Sequence, residues 1–96
     1  MGGEPLASEN VFLTALLINV VKEKYPDIKI YLWTGYIIED LMKRNESKTT
    51  YILENIDYLI DGPYIDAERD ITLAMCGSRN QRVIDMKEYR NAILDR

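Results

Sequence analysis

Between residues 9 and 24 the apolar side chains Val11, Phe12, Ala15, Leu16, Ile18 and Val21 recur at helical spacing. That spacing predicts an α-helix. Ser8 or Asn10 can cap its start, and Pro26 lies just past its end. The apolar positions cover much of the circumference, which predicts a core helix buried on more than one side. Residues 28–33, rich in Ile, Tyr and Trp, predict a strand. Thr34-Gly35-Tyr36 then turns into a second helix over 37–44, with Ile37, Ile38, Leu41 and Met42 at helical spacing. A polar loop follows at 45–48, and Thr49 or Thr50 is placed to cap a short helix through Asn55. Ile56 to Ile60 reads as a second buried strand, broken by Asp61-Gly62-Pro63.

This alternation of helix and strand predicts an α/β fold with a parallel sheet and crossover helices. The remainder is less regular. Ile71, Leu73 and Met75 alternate as in a half-buried strand, residues 76–80 form a turn, 82–84 read as a short strand and 86–94 as a terminal helix. No repeat or low-complexity tract interrupts the 96 residues, so one domain is expected.

Composition narrows the chemistry. A net charge of −4 argues against nucleic acid or an anionic membrane as partner. Histidine is absent, which removes the commonest metal ligand and general base. The single cysteine, Cys76, excludes an internal disulfide framework and a zinc site of the usual kind. A lone thiol fits a reducing cytoplasm, where such a thiol is more often a small buried hydrophobe than a reactive group. The longest apolar run, 15–18, is far short of the roughly 20 residues of a membrane helix. Glu4 stands where a signal peptide would be basic.

In open α/β sheets ligands bind outside the carboxyl ends of the strands. Two such ends are visible, Thr34-Gly35-Tyr36 and Asp61-Gly62-Pro63. Gly2-Gly3-Glu4-Pro5 would be a third, were a strand to precede it. Glycines admit close backbone approach, Glu4 can neutralise an ammonium group, and Asp61 can hold a hydroxyl, an amine or a cation. Taken singly, each run is also an ordinary turn, and Asp61 can simply accept from nearby backbone N–H groups. Gly77-Ser78-Arg79-Asn80-Gln81-Arg82 alone reads as a polar hairpin. Lys43-Arg44 alone is the favourable basic end of a helix.

Taken together and in order, these runs are far more specific. Gly2-Gly3-Glu4-Pro5-Leu6 is followed by Asn10-Val11, Lys22 to Pro26, Ile30 to Tyr36, Ile56 to Tyr64 and Gly77 to Asp85. The chain thereby resembles the activating proteins of anaerobic ribonucleoside-triphosphate reductases, small radical S-adenosylmethionine (SAM) enzymes. The resemblance extends to about residue 86. It implies a partial (βα) barrel and a 4Fe-4S cluster held by three cysteines spaced C-x-x-x-C-x-x-C. The cluster cleaves SAM to a radical, which removes a hydrogen from a glycine of the reductase, the implied partner. It also implies that Gly2, Gly3 and Glu4 contact the SAM amino group, with Thr34 and Asp61 beside the cofactor.

The departures carry as much weight. The cysteine motif is absent, and one thiolate cannot hold a four-iron cluster. The chain is therefore expected to be the C-terminal portion of such an activase and inactive alone. The expected barrel lacks its first two strands, which leaves the strand at 28–33 with an open edge. An open edge predicts a homo-oligomer through edge pairing. The alternative is a non-catalytic binding module that keeps the SAM-contacting or reductase-docking surface. A plain α/β domain with chance matches is disfavoured by the ordered runs.

Overall fold

The computed structural model of the chain describes residues 3–94. Helix α1 spans Val11–Lys24, strand β1 Tyr31–Trp33, α2 Ile38–Lys43, α3 Ser47–Asn55, β2 Tyr58–Asp61, β3 Arg82–Asp85 and α4 Met86–Leu94. A 3-10 turn at Asp66–Glu68 lies between β2 and β3. The expected elements are present with ends shifted by up to three residues, apart from the one over 71–75.

The three strands form one sheet in the order β1-β2-β3. β1 and β2 are parallel, with Leu32 opposite Leu59. β2 and β3 are antiparallel, with Leu59 opposite Ile84. The expected all-parallel sheet is thus corrected to a mixed one. Helices α2 and α3 make the crossover between β1 and β2, as parallel pairing requires. No helix of that kind joins β2 to β3, and the chain returns along β2 in the opposite direction.

The row Leu32, Leu59 and Ile84 faces the helices and packs into the core. That core is built around the buried side chains of Leu6, Ile38, Leu41, Ile52, Leu59 and Met86. On the other face the Tyr31 and Tyr58 rings stack with centroids 4.9 Å apart. The Trp33 indole donates to the Met75 carbonyl at 2.7 Å.

Helix α1 is apolar nearly all round in sequence, yet only one side of it is covered among the described residues. Val11 and Ile18 are buried, and the helix packs against α3. Leu13, Leu16, Leu17 and Val20 lie on the opposite side and remain about half exposed. Burial on more than one side is therefore corrected to burial on one, among the described residues. The Asn10 side chain caps nothing; its Nδ2 donates to the Glu4 carbonyl at 2.8 Å instead.

Two further corrections concern local chemistry. Helix α3 begins earlier than expected because Glu46, not a threonine, is its cap. Glu46 accepts from the Lys48 and Thr49 N–H groups at 3.1 and 2.9 Å. The strand expected from Ile71, Leu73 and Met75 is a series of turns. Asp70 accepts from the N–H and hydroxyl of Thr72 and curls the chain locally. Met75, at φ 71°, bends it again. Only an isolated bridge, Arg69 to Ser78, forms there, and Ile71 is left exposed.

Packing energetics follow from this division. Truncating Leu59, fully buried beneath the helices, to alanine is expected to cost about 2–5 kcal/mol in urea denaturation. Leu17→Ala, on the open side of α1, is expected to change stability by no more than about 0.5 kcal/mol.

Candidate functional site at the carboxyl ends of the strands

Parallel pairing puts the carboxyl ends of β1 and β2 side by side, and the first loop closes over them. Glu4 makes the junction. Its Oε2 accepts from the Leu6 N–H at 3.0 Å and from the Thr34 hydroxyl at 2.6 Å. Its Oε1 accepts from the Gly35 N–H at 2.5 Å. A side chain on Gly35 would put Cβ 3.2 Å from that oxygen, so the close approach favours glycine. The Thr34 hydroxyl in turn accepts from the Tyr36 N–H at 3.2 Å, and the Thr34 N–H bonds the Ile60 carbonyl at 2.9 Å.

The structure therefore brings together three of the sequence-derived candidates. Glu4 and Thr34 are in direct contact, and Gly3 sits exposed one residue before Glu4. Gly2 lies outside the described residues. Asp61 stands at the end of the neighbouring strand but is fully buried. Its Oδ2 accepts from the Ile38 N–H at 2.9 Å, at the first turn of α2. Both its oxygens accept from the Arg82 guanidinium, Nε to Oδ1 at 2.9 Å and Nη2 to Oδ2 at 2.5 Å.

Arg82 and Glu39 are the residues that sequence reasoning missed. Arg82 also bonds both Glu39 oxygens, at 2.9 and 3.3 Å, so one guanidinium ties β3 to the end of β2 and to α2. The hydrogen bonds it donates to Asp61, then Glu39, hold the guanidinium even more firmly protonated than usual. The hydrogen bond from Arg82 is the main cause holding the Glu39 carboxyl below its ordinary range. The signal was the register: Arg82 opposes Asp61 only once β3 is known to run antiparallel.

Behind this cluster the run Gly77 to Gln81 forms a polar clasp. Asn80 Nδ2 donates to the Pro63 carbonyl and Gln81 Nε2 to the Gly62 carbonyl, at 2.8 and 3.0 Å. Gly62, at φ 99°, supplies the left-handed backbone that this turn needs. Its N–H reaches the Tyr36 carbonyl at 2.8 Å, which locks the two strand-end turns together. Cys76 is half-buried, with its thiol 3.6 Å from the Gln81 carbonyl.

Comparison with known proteins agrees with the ordered motifs. Residues 1–84 match the family model described as a 4Fe-4S single cluster domain. The chain belongs to that family. It is 39% identical over 80 residues to an anaerobic ribonucleoside-triphosphate reductase-activating protein of Haemophilus influenzae, covering 83% of this chain and 49% of that relative. The relative of that name in Enterobacteria phage T4 is 36% identical over 84 residues, covering 85% of this chain and 48% of its own. In Escherichia coli K12 the identity is 30% over 82 residues, covering 85% and 51%. The chain thus spans about half the length of the curated relatives it matches. No solved structure matches it.

The family's cluster can be tested against the residues present, and they do not fit it. The sequence has one cysteine and no histidine. Among the described residues no three His, Cys, Asp or Glu side chains converge as a metal-holding group. No helix among them is long and apolar enough to cross a membrane.

The Asp61 cluster makes a stability prediction with a definite sign. Glu39 has a depressed carboxyl pKa, so its contribution is present above the ordinary carboxylate range and is lost as pH falls through the folded value. Melting temperature is expected to fall below about pH 4, and Glu39→Gln to reduce that fall. Asp61→Ala, which strands the Ile38 N–H and leaves Arg82 with Glu39 as its carboxylate partner, is expected to cost about 2 kcal/mol or more at neutral pH. Thermal scans and urea titrations read both effects.

Proposed function

We propose that this chain is the SAM-holding, C-terminal portion of an activating protein for anaerobic ribonucleoside-triphosphate reductase. Its sheet is then part of a radical SAM partial barrel. The observation that supports this reading is the Glu4 junction: a carboxylate fixed by three donors at the carboxyl ends of two parallel strands. A carboxylate has about four acceptor positions, so one remains for an ammonium group. Glycines on its N-terminal side, Gly2 and Gly3, leave the backbone open to close approach. In this reading Gly2, Gly3 and Glu4 hold the SAM amino group. Thr34 and Gly35 fix the angle of the Glu4 carboxylate. Asp61 supports the site through the turn ending at Ile38, and its own oxygens stay with Ile38 and Arg82.

The cluster cysteines then come from outside these 96 residues, and the chain alone does not generate a glycyl radical on the reductase. Bound SAM supplies the radical chemistry only where a reduced cluster reaches it. The implied compartment is the cytoplasm. The lone cysteine also favours a second reading, a non-catalytic module that keeps the SAM-contacting or reductase-docking surface. Electron paramagnetic resonance separates the readings. With iron, sulfide, reductant, SAM and reductase, the chain alone is expected to give no glycyl-radical signal. Restored signal on adding a segment with the C-x-x-x-C-x-x-C motif supports the activase reading, and continued silence supports the module.

SAM binding tests the site directly. In calorimetric titration Glu4→Gln is expected to weaken SAM binding about ten-fold or more, the loss of one charge-assisted contact. Equal affinity of the variant would sink the assignment.

We also propose that the chain self-associates through β1. This strand is at the sheet edge, bonded to β2 through the Ile30 carbonyl and the Thr34 N–H. Alternation therefore turns the backbone groups of Tyr31 and Trp33 outward. Sedimentation at micromolar concentration is expected to show a dimer or larger species. Tyr31→Pro, which removes an outward N–H, is expected to shift it to monomer.

A further inference from the structure

We propose that Arg44 is the positioning residue of the Glu4 junction, the group that sets where the Glu4 carboxylate stands. By sequence it is only a basic residue at the end of α2, the favourable place for a cation. Its contacts are of another kind. Nη1 donates to the Leu6 carbonyl at 2.5 Å and, over a long 3.4 Å, to the Thr49 hydroxyl. The guanidinium carbon lies 4.8 Å from the centre of the Tyr36 ring.

These contacts meet both halves of the junction from behind. Leu6 follows Glu4 by two residues, and its N–H is already held by Glu4 Oε2. Arg44 takes the same residue by its carbonyl, and the Leu6 side chain is fully buried, so Leu6 is held at both its backbone groups and its side chain. Tyr36 follows the Gly35 whose N–H is held by Glu4 Oε1. Arg44 lies against the Tyr36 ring while the Tyr36 carbonyl is tied to Gly62. One planar cation thus spans the loop that carries Glu4 and the turn that receives it. An ammonium group would satisfy the helix end equally well, but it lacks the flat face and the fork that serve a ring and a carbonyl at once. Arg44 also lines a small cavity with Ser8, Val11 and Glu46, beside the start of α1.

The consequence for SAM rests on the reading of Glu4 given above; the geometric claim does not. The test therefore has two readouts. The first is the Gly35 amide, followed by its nuclear magnetic resonance shift and hydrogen exchange in the 96-residue chain. Arg44→Met is expected to move that resonance and speed its exchange about ten-fold or more, with core amides unchanged. Arg44→Lys keeps the helix-end charge and is expected to hold the melting temperature near wild type yet still release Gly35. Should Arg44→Met fail to fold, the lysine variant carries the test. Arg90→Met is the control: it removes a comparable guanidinium–carbonyl bond, to Leu53 at 2.8 Å, away from the junction. It is expected to leave Gly35 unmoved.

The second readout is SAM affinity. Arg44→Met is expected to weaken binding about ten-fold, and to add little in a Glu4→Gln background, because both act through one carboxylate. An unmoved Gly35 amide in the arginine variants, or an equal response to Arg90→Met, overturns the proposal. If the wild-type chain binds no SAM, the ligand reading falls, and the Gly35 amide still decides the role of Arg44.

Discussion

The structure depends on a fully buried carboxylate. Asp61 ends β2 with no access to water, in a position where an unpaired charge would cost several kcal/mol. Arg82 neutralises it from β3, and Ile38 N–H takes a further bond from the start of α2. Three elements meet at one residue, so the antiparallel return of β3 and the entry angle of α2 are set together. The cost of burial also explains why the guanidinium is doubly engaged. Its second partner, Glu39, is exposed and worth little by itself. It holds the Arg82 fork in the orientation that Asp61 needs.

The Glu4 junction inherits its geometry from this constraint. The turn after β1 is held at Thr34 by β2 and at Tyr36 by Gly62, so it is rigid before Glu4 arrives. The carboxylate then joins a loop to a preformed turn, which is how a short loop can hold a charged group at a fixed angle. In the proposed reading this fixed charge serves an ammonium group, since a carboxylate that must reorganise loses affinity to entropy. The polar clasp of Asn80 and Gln81 belongs to the same arrangement, because it holds the Gly62 turn that anchors Tyr36.

Much of this was legible in the sequence, and for identifiable reasons. Helices α1 and α2 and strands β1 and β2 follow from apolar spacing and from turn residues that interrupt it. The strand ends are legible because turn residues interrupt the apolar runs at 34–36 and 61–63, and Gly2-Gly3-Glu4-Pro5 stands out through the resemblance. What escaped was non-local. Nothing in the run Gly77 to Arg82 says which strand it will lie against, so the pairing of Arg82 with Asp61 was hidden. Alternation at Ile71, Leu73 and Met75 was a false signal. Period-two spacing describes a strand only where a neighbour supplies hydrogen bonds, and the Asp70–Thr72 bonds offered a cheaper local solution. The cap of α3 was misplaced because a glutamate side chain can reach back over the same N–H groups as a threonine.

Helix α1 and strand β1 pose one question in two forms. The helix is apolar on both sides, yet α3 covers only the side bearing Val11 and Ile18. The strand has hydrogen-bonding capacity on both edges, yet β2 takes only one. Each element has the chemistry of an interior position and the neighbours of a peripheral one. Among the described residues, four large aliphatic side chains stand on the open side of α1, and β1 keeps one edge open. Under the proposed self-association, these are the surfaces that a second copy covers.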